Sequence, residues 1–193
     1  MATRGNLTEE EGKHLLFVAR KTIQEALLEK NAKEPSPSPS LESPKYLERR
    51  GTFVTLTLDG ALRGCIGHII PQESLIEGVR VNAVNAALHD PRFRPVSSNE
   101  LPRIKIEVSI LTAPEPLAFS DANDLAMKIR PGIDGVIIKK NFRQATFLPQ
   151  VWEQLHDKNT FLRQLCLKAG LDGDAWRKES IDVYIYQVQA FEE

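Results

Sequence analysis

The feature that most constrains the fold is a two-residue turn, Asp59-Gly60, placed between two runs with strand character. Phe53 to Leu58 is rich in β-branched and aromatic residues, and both turn positions tolerate positive φ, so the chain is expected to double back as a hairpin. The returning run is Leu62-Arg63-Gly64-Cys65-Ile66-Gly67, which continues through His68 to Pro71. Counting from the turn, Leu58 faces Ala61, Leu56 faces Arg63 and Val54 faces Cys65. Arg63 and Cys65 are therefore expected on the same face as Val54, Leu56 and Leu58. There Cys65 reads most simply as a small buried hydrophobe. Arg63 needs a carboxylate, a carbonyl or a ligand, because a guanidinium on an apolar face is costly unless it is paired. A glycine-associated bulge would change this register.

Upstream, Thr8 and Glu11 have the spacing of a capping box, and Leu15, Leu16, Ala19, Ile23, Ala26 and Leu27 recur at helical spacing, ending near Lys30. Pro35 to Ser40 reads PSPSPS, an extended segment that is either a solvated connector or a proline-rich docking peptide, the connector being favoured because no flanking arginine motif accompanies it. Downstream of the hairpin, Ser74 and Glu77 repeat the capping-box spacing before a helix with Leu75, Val79, Ala83 and Ala86 on its buried stripe. His89-Asp90-Pro91-Arg92-Phe93-Arg94-Pro95 ends that helix in a charged, proline-bounded turn. Asp90 either holds Arg92 or a backbone N–H, or takes part in a site. A strand, a glycine-bearing loop and a helix start can together present N–H groups to an anion, although neither a P-loop nor a dinucleotide fingerprint is present. The candidate reacting residue is Cys65, and the candidate binding residues are Arg63, Gly64, Gly67, His68, Asp90 and Arg92.

The first half closes with Ile104, Ile106, Val108 and Ile110, which alternate with polar residues as a half-buried strand. Asp121 is placed to cap a short helix, and Gly135 to Leu148 reads as a second hairpin turning near Asn141. A longer helix from about Pro149 is expected to stop at Gly170, with a break around Asp157 to Asn159, and Ile181 to Phe191 reads as one final strand carrying Tyr184 and Tyr186 on one face. Helix–hairpin–helix–strand thus occurs twice. The pattern predicts a single α+β domain over residues 1–193, with related halves at about 8–111 and 121–191 sharing a mainly antiparallel sheet.

The formal net charge of -1 argues against bulk nucleic acid or an anionic membrane as partner, since either normally requires a basic field. Two cysteines in distant segments and four scattered histidines give neither a disulfide framework nor a recognised zinc-ligand spacing. No motif specifies a cofactor. The N-terminus carries acids where a secretory signal would carry a basic start and an apolar run, so a cytoplasmic protein without membrane spans is expected.

Taken in order, RGTFVTL, LRGCIG, the DPRF turn, IEVSIL, and TFLPQVW with FLRQLCLKAGL resemble the successive motifs of the AMMECR domain family, also called protein A of the AmmeMemoRadiSam system. The resemblance runs from the first helix to the final strand. It implies a two-repeat α+β fold with a barrel-like sheet, association with Memo-like and radical-SAM proteins, and a functional centre at LRGCIG. The PSPSPS insertion and His89 fall outside the pattern, so no family role is carried onto His89.

Two function classes remain. In one, the chain is an enzyme or enzyme component in which Cys65 acts as nucleophile, redox thiol or transient metal ligand beside Arg63 and His68. In the other, it is a binding or scaffold module whose LRGCIG and DPRF segments recognise a small anionic ligand or a partner protein. Arg63 and the Asp90 to Phe93 turn are expected to contribute to one concave site.

Overall fold

A computed structural model describes residues 6–28, 43–178 and 180–193; the Pro35 to Ser40 connector lies outside them. The chain divides into two compact units, residues 1–111 with 189–193, and residues 112–188.

The first unit is built on a four-stranded sheet in the order β2-β1-β3-β8. Its strands are β1 (Thr52–Leu58), β2 (Ala61–His68), β3 (Ile104–Leu111) and β8 (Val188–Glu192). The expected turn is present, with Asp59 and Gly60 at φ of 52° and 82°. Helices α1 (Glu9–Leu28) and α2 (Leu75–Val84) supply the apolar stripes that meet Val54, Leu56, Ile106 and Val108 in one core. The capping box at α1 forms as its spacing predicts: Thr8 N–H donates to Glu11 Oε2 at 2.7 Å, and Glu11 N–H donates to Thr8 Oγ1 at 3.2 Å. Glu11 also accepts from Ser43 Oγ and Lys45 Nζ, which hold its carboxyl down at about 2. The second expected box does not form. Ser74 makes no side-chain cap bond, and Glu77 pairs instead with Arg80 at 2.5 Å, one helical turn away.

The second unit has its own four-stranded sheet, β4-β7-β5-β6, from β4 (Glu115–Pro116), β5 (Gly135–Lys140), β6 (Arg143–Phe147) and β7 (Asp182–Tyr186). Asp121 caps α3 (Ala122–Lys128) through the N–H groups of Asn123 and Asp124, and Asn141 turns the β5–β6 hairpin at φ 54°. The helix expected from Pro149 is a 3₁₀ turn, Pro149–Glu153, and after a break the chain resumes as α4 (Lys158–Lys168). Trp152 stacks on Phe161 with centroids 3.6 Å apart, and the Trp152 indole N–H donates to Asp134 O at 2.9 Å.

The α+β class and the antiparallel pairing are as expected, but the sheet is not shared: there are two sheets, and no closed barrel is found among the described residues. The reason lies in the last run. Ile181 to Phe191 is two strands split at Gln187, which exchanges bonds with Thr112 in place of a ladder, so β7 joins one sheet and β8 the other.

Candidate functional site

The register of the first hairpin differs from the count made from its turn. Leu58 pairs with Ala61 and Thr57 with Leu62, but Leu56 pairs with Gly64, Thr55 with Cys65 and Val54 with Ile66. Arg63 is the extra residue of a β-bulge, and one inserted residue moves every later side chain of the strand to the other face. Cys65 therefore does not share the buried face of Val54. It lies opposite Thr55, with Gly67 opposite Phe53, on the face away from Val54 and Leu56.

Gly64 explains why the bulge is held. A Cβ on Gly64 would stand 2.1 Å from Ala86 O, so only glycine lets the backbone of this strand meet the π-helical turn Asn85–His89 at the end of α2. A single-turn π segment widens the end of the helix and re-aims the chain beyond it. The next residue is Asp90, whose side chain is 1% exposed.

Cys65 sits on an edge strand, and the residues of the Asp90 to Phe93 turn take up its outward-facing backbone. Cys65 N–H donates to Asp90 Oδ2 at 2.9 Å, and Arg92 Nη2 donates to Cys65 O at 3.1 Å. The turn thus occupies the place a neighbouring strand would take and closes the sheet edge. Because Cys65 directs both backbone groups outward, Thr55 and Cys65 form a non-hydrogen-bonded pair, the closer of the two antiparallel geometries. Their side chains meet, with Thr55 Oγ1 donating to Cys65 Sγ at 3.3 Å.

Asp90 is further clamped by Arg92, which donates from Nε to Oδ1 at 2.9 Å and from Nη2 to Oδ2 at 2.6 Å. This guanidinium is the main cause that holds the Asp90 carboxyl well below the usual carboxylate range, with the N–H groups of Cys65 and Arg92 adding to it against the effect of burial. Reciprocally, Asp90 raises Arg92, and the Cys65 side chain also acts on that guanidinium.

Arg63 has the carboxylate partner its position demands. Glu100 accepts from Nε at 2.9 Å and from Nη2 at 3.3 Å, and Pro95 O accepts from Nη2 at 3.3 Å. Arg63 in turn is the main cause that lowers the Glu100 carboxyl to about 2. Arg63 Nη1 is buried without a hydrogen-bond partner among the described residues. Arg63 and Arg92 both lie over one aromatic ring: Phe93 has Arg63 Cζ at 6.0 Å and Arg92 Cζ at 5.4 Å from its centroid.

Gly67 makes room for the Phe53 ring, which a Cβ would approach to 2.3 Å. His68 pairs with Thr52, in register with Val54 and Leu56 rather than with Cys65, so it is not a neighbour of the thiol. The residues beside the Cys65 side chain are thus Thr55 and Arg92 instead of Arg63 and His68. Thr55 and Glu100 were not apparent from the sequence; only the possibility of a glycine-associated bulge pointed toward Thr55. Cys166 is fully buried in the core of the second unit. Among the described residues, no group of three or more His, Cys, Asp or Glu side chains is placed to hold a metal ion, and no helix is long and apolar enough to cross a membrane.

Two α+β units, with a bulged hairpin whose edge is closed by an Asp-Pro-Arg-Phe turn, define the kind of protein this is. The AMMECR1 family model matches residues 16–191, and the chain belongs to that family. Protein Mbar_A1807 of Methanosarcina barkeri is 43% identical over 188 residues, covering 97% of this chain and 92% of the relative. A protein of Methanothermobacter thermautotrophicus is 41% identical, covering 97% and 96%. The crystal structure of an uncharacterized protein, PH0010, from Pyrococcus horikoshii superposes with a TM-score of 0.87 at 38% identity, covering 97% of this chain and 93% of that one.

Proposed function

We propose that this chain is a cytoplasmic enzyme component whose working group is the Cys65 thiol, acting with Memo-like and radical-SAM partners. The observation that carries the thiol reading is the placement of Cys65. Its backbone is fixed on both sides by Asp90 and Arg92, while its half-buried side chain is turned away from the core toward the Thr55 hydroxyl. A sulfur held in one position, beside a hydroxyl donor and a guanidinium, is suited to attack an electrophilic carbon or to form a transient sulfur adduct. The partners are inferred from the resemblance to the AmmeMemoRadiSam system. Brief treatment of the native chain with iodoacetamide, with peptide mass spectrometry as the readout, tests the thiol reading. Modification of Cys65 with protection of Cys166 is expected. Equal protection of both sulfurs would sink it and leave a binding or scaffold role for the LRGCIG and DPRF segments.

A further inference from the structure

We propose that Arg92 is the anion-binding residue of this site, so that the molecule reaching Cys65 is a small one bearing a carboxylate or phosphate group; this rests on the reading of Cys65 as the working thiol. Three observations lead there. Asp90 engages only one edge of the Arg92 guanidinium, through Nε and Nη2, so Nη1 takes no part in that pair. The side chain is 53% exposed, so that free end is presented to solvent rather than stored in the core. Nη2 at the same time donates to Cys65 O, which ties the guanidinium to the residue whose sulfur would react.

The plane of the guanidinium is fixed by the buried carboxylate and by the Phe93 ring, so an anion meeting Nη1 finds a donor already oriented. Asp90 offsets the charge of Arg92. Arg94, two residues on, is exposed and has no ion-pair partner among the described residues, and it leaves the turn with a cationic surplus. Arg63 is excluded from this role, since Glu100 and Pro95 occupy its Nε and Nη2 and its Nη1 is buried. Such a site binds weakly and selects by charge, which suits a substrate that must orient and then leave.

The test compares two alkylating agents of one chemistry and different charge. In both, the Cys65 sulfur forms a bond to the CH₂ carbon as the carbon–iodine bond breaks; iodide leaves and the thiol proton passes to buffer. Iodoacetate carries a carboxylate and iodoacetamide does not. The ratio of their rates at Cys65 in the folded chain, divided by the same ratio for N-acetylcysteine, is expected to exceed one by roughly tenfold, the effect of one charge-assisted contact. Arg92→Gln should bring the ratio back near the reference. In the unaltered chain, inorganic phosphate should slow iodoacetate more than iodoacetamide, a comparison that needs no variant to fold. A ratio equal to that of N-acetylcysteine, a raised ratio that survives in folded Arg92→Gln, or phosphate without selective effect would each overturn the assignment. Rapid modification by iodoacetamide with no preference for iodoacetate would refute the anion site alone. Failure of iodoacetamide itself to reach Cys65 would refute the thiol reading beneath it.

Discussion

The Cys65 N–H donates to Asp90 Oδ2 at 2.9 Å, joining a strand-edge residue to one 25 positions later. That bond replaces the ladder bond an edge strand lacks, and it connects the two sequence segments, LRGCIG and DPRF, that define the site. The carboxylate making it is almost fully buried, whereas its cationic partner Arg92 is half exposed. The consequences of removing either one are therefore unequal.

Arg92→Ala leaves a buried carboxylate without its cation and should cost about 3 kcal/mol or more. Asp90→Ala leaves a solvated guanidinium and an unpaired Cys65 N–H, and should cost about 1–2 kcal/mol. Urea denaturation of both variants checks the order. Equal losses, or a larger loss for Asp90→Ala, would contradict the burial asymmetry.

Gly64→Ala places a methyl 2.1 Å from a backbone oxygen, which cannot move aside as a side chain can. A destabilisation of about 2–3 kcal/mol is expected. Gly60→Ala is the comparison, because Gly60 at φ 82° has nothing within 4 Å of its Cβ position, and its cost is backbone strain of about 1 kcal/mol. Thermal melts should rank Gly64→Ala below Gly60→Ala.

Acid should weaken the first unit in a defined window. Glu11 and Glu100 have carboxyls lowered from 4.5 to about 2 in the folded state, Glu11 chiefly by Ser43 and Lys45 and Glu100 chiefly by Arg63. A depressed folded-state value gives stability that is present above the unfolded value and is lost as pH falls from about 4.5 toward 2. Between pH 5 and pH 3 the loss should be on the order of 0.5–1 kcal/mol per site, since solvent screens these pairs, and Glu100→Gln should make the decline shallower. Urea midpoints at the two pH values measure it. A decline of unchanged steepness in Glu100→Gln would mean that the Arg63 pair contributes nothing to the acid response.

The parts of this fold legible in the sequence were those decided locally. Asp59-Gly60 fixed the first turn, Thr8 and Glu11 the start of α1, and Asp121 the start of α3, each through contacts within a few residues. Even local spacing failed at Ser74, where Glu77 found Arg80 instead of the Ser74 N–H. The face of Cys65 was not legible. It depends on whether Arg63 is counted in the ladder, and that is settled by Gly64 meeting Ala86, a contact no periodicity reports. The break at Gln187 was hidden for a related reason: the run from Ile181 to Phe191 contains no glycine or proline, and the change of sheet is made by its bonds to Thr112.

Everything inferred for the site depends on Cys65 lying outside the core, opposite Thr55 and not opposite Val54. Non-hydrogen-bonded antiparallel pairs bring facing side chains closest, and their Cβ separation is near what a disulfide spans. Thr55→Cys and Val54→Cys therefore read the register directly. Mild oxidation of the folded chain and peptide mass spectrometry without reduction should link the introduced thiol to Cys65 in Thr55→Cys and leave Val54→Cys unlinked. A disulfide from position 54 and none from position 55 would put Cys65 back on the core face, as counting from Asp59-Gly60 without a bulge would have it, and would contradict the site built on it.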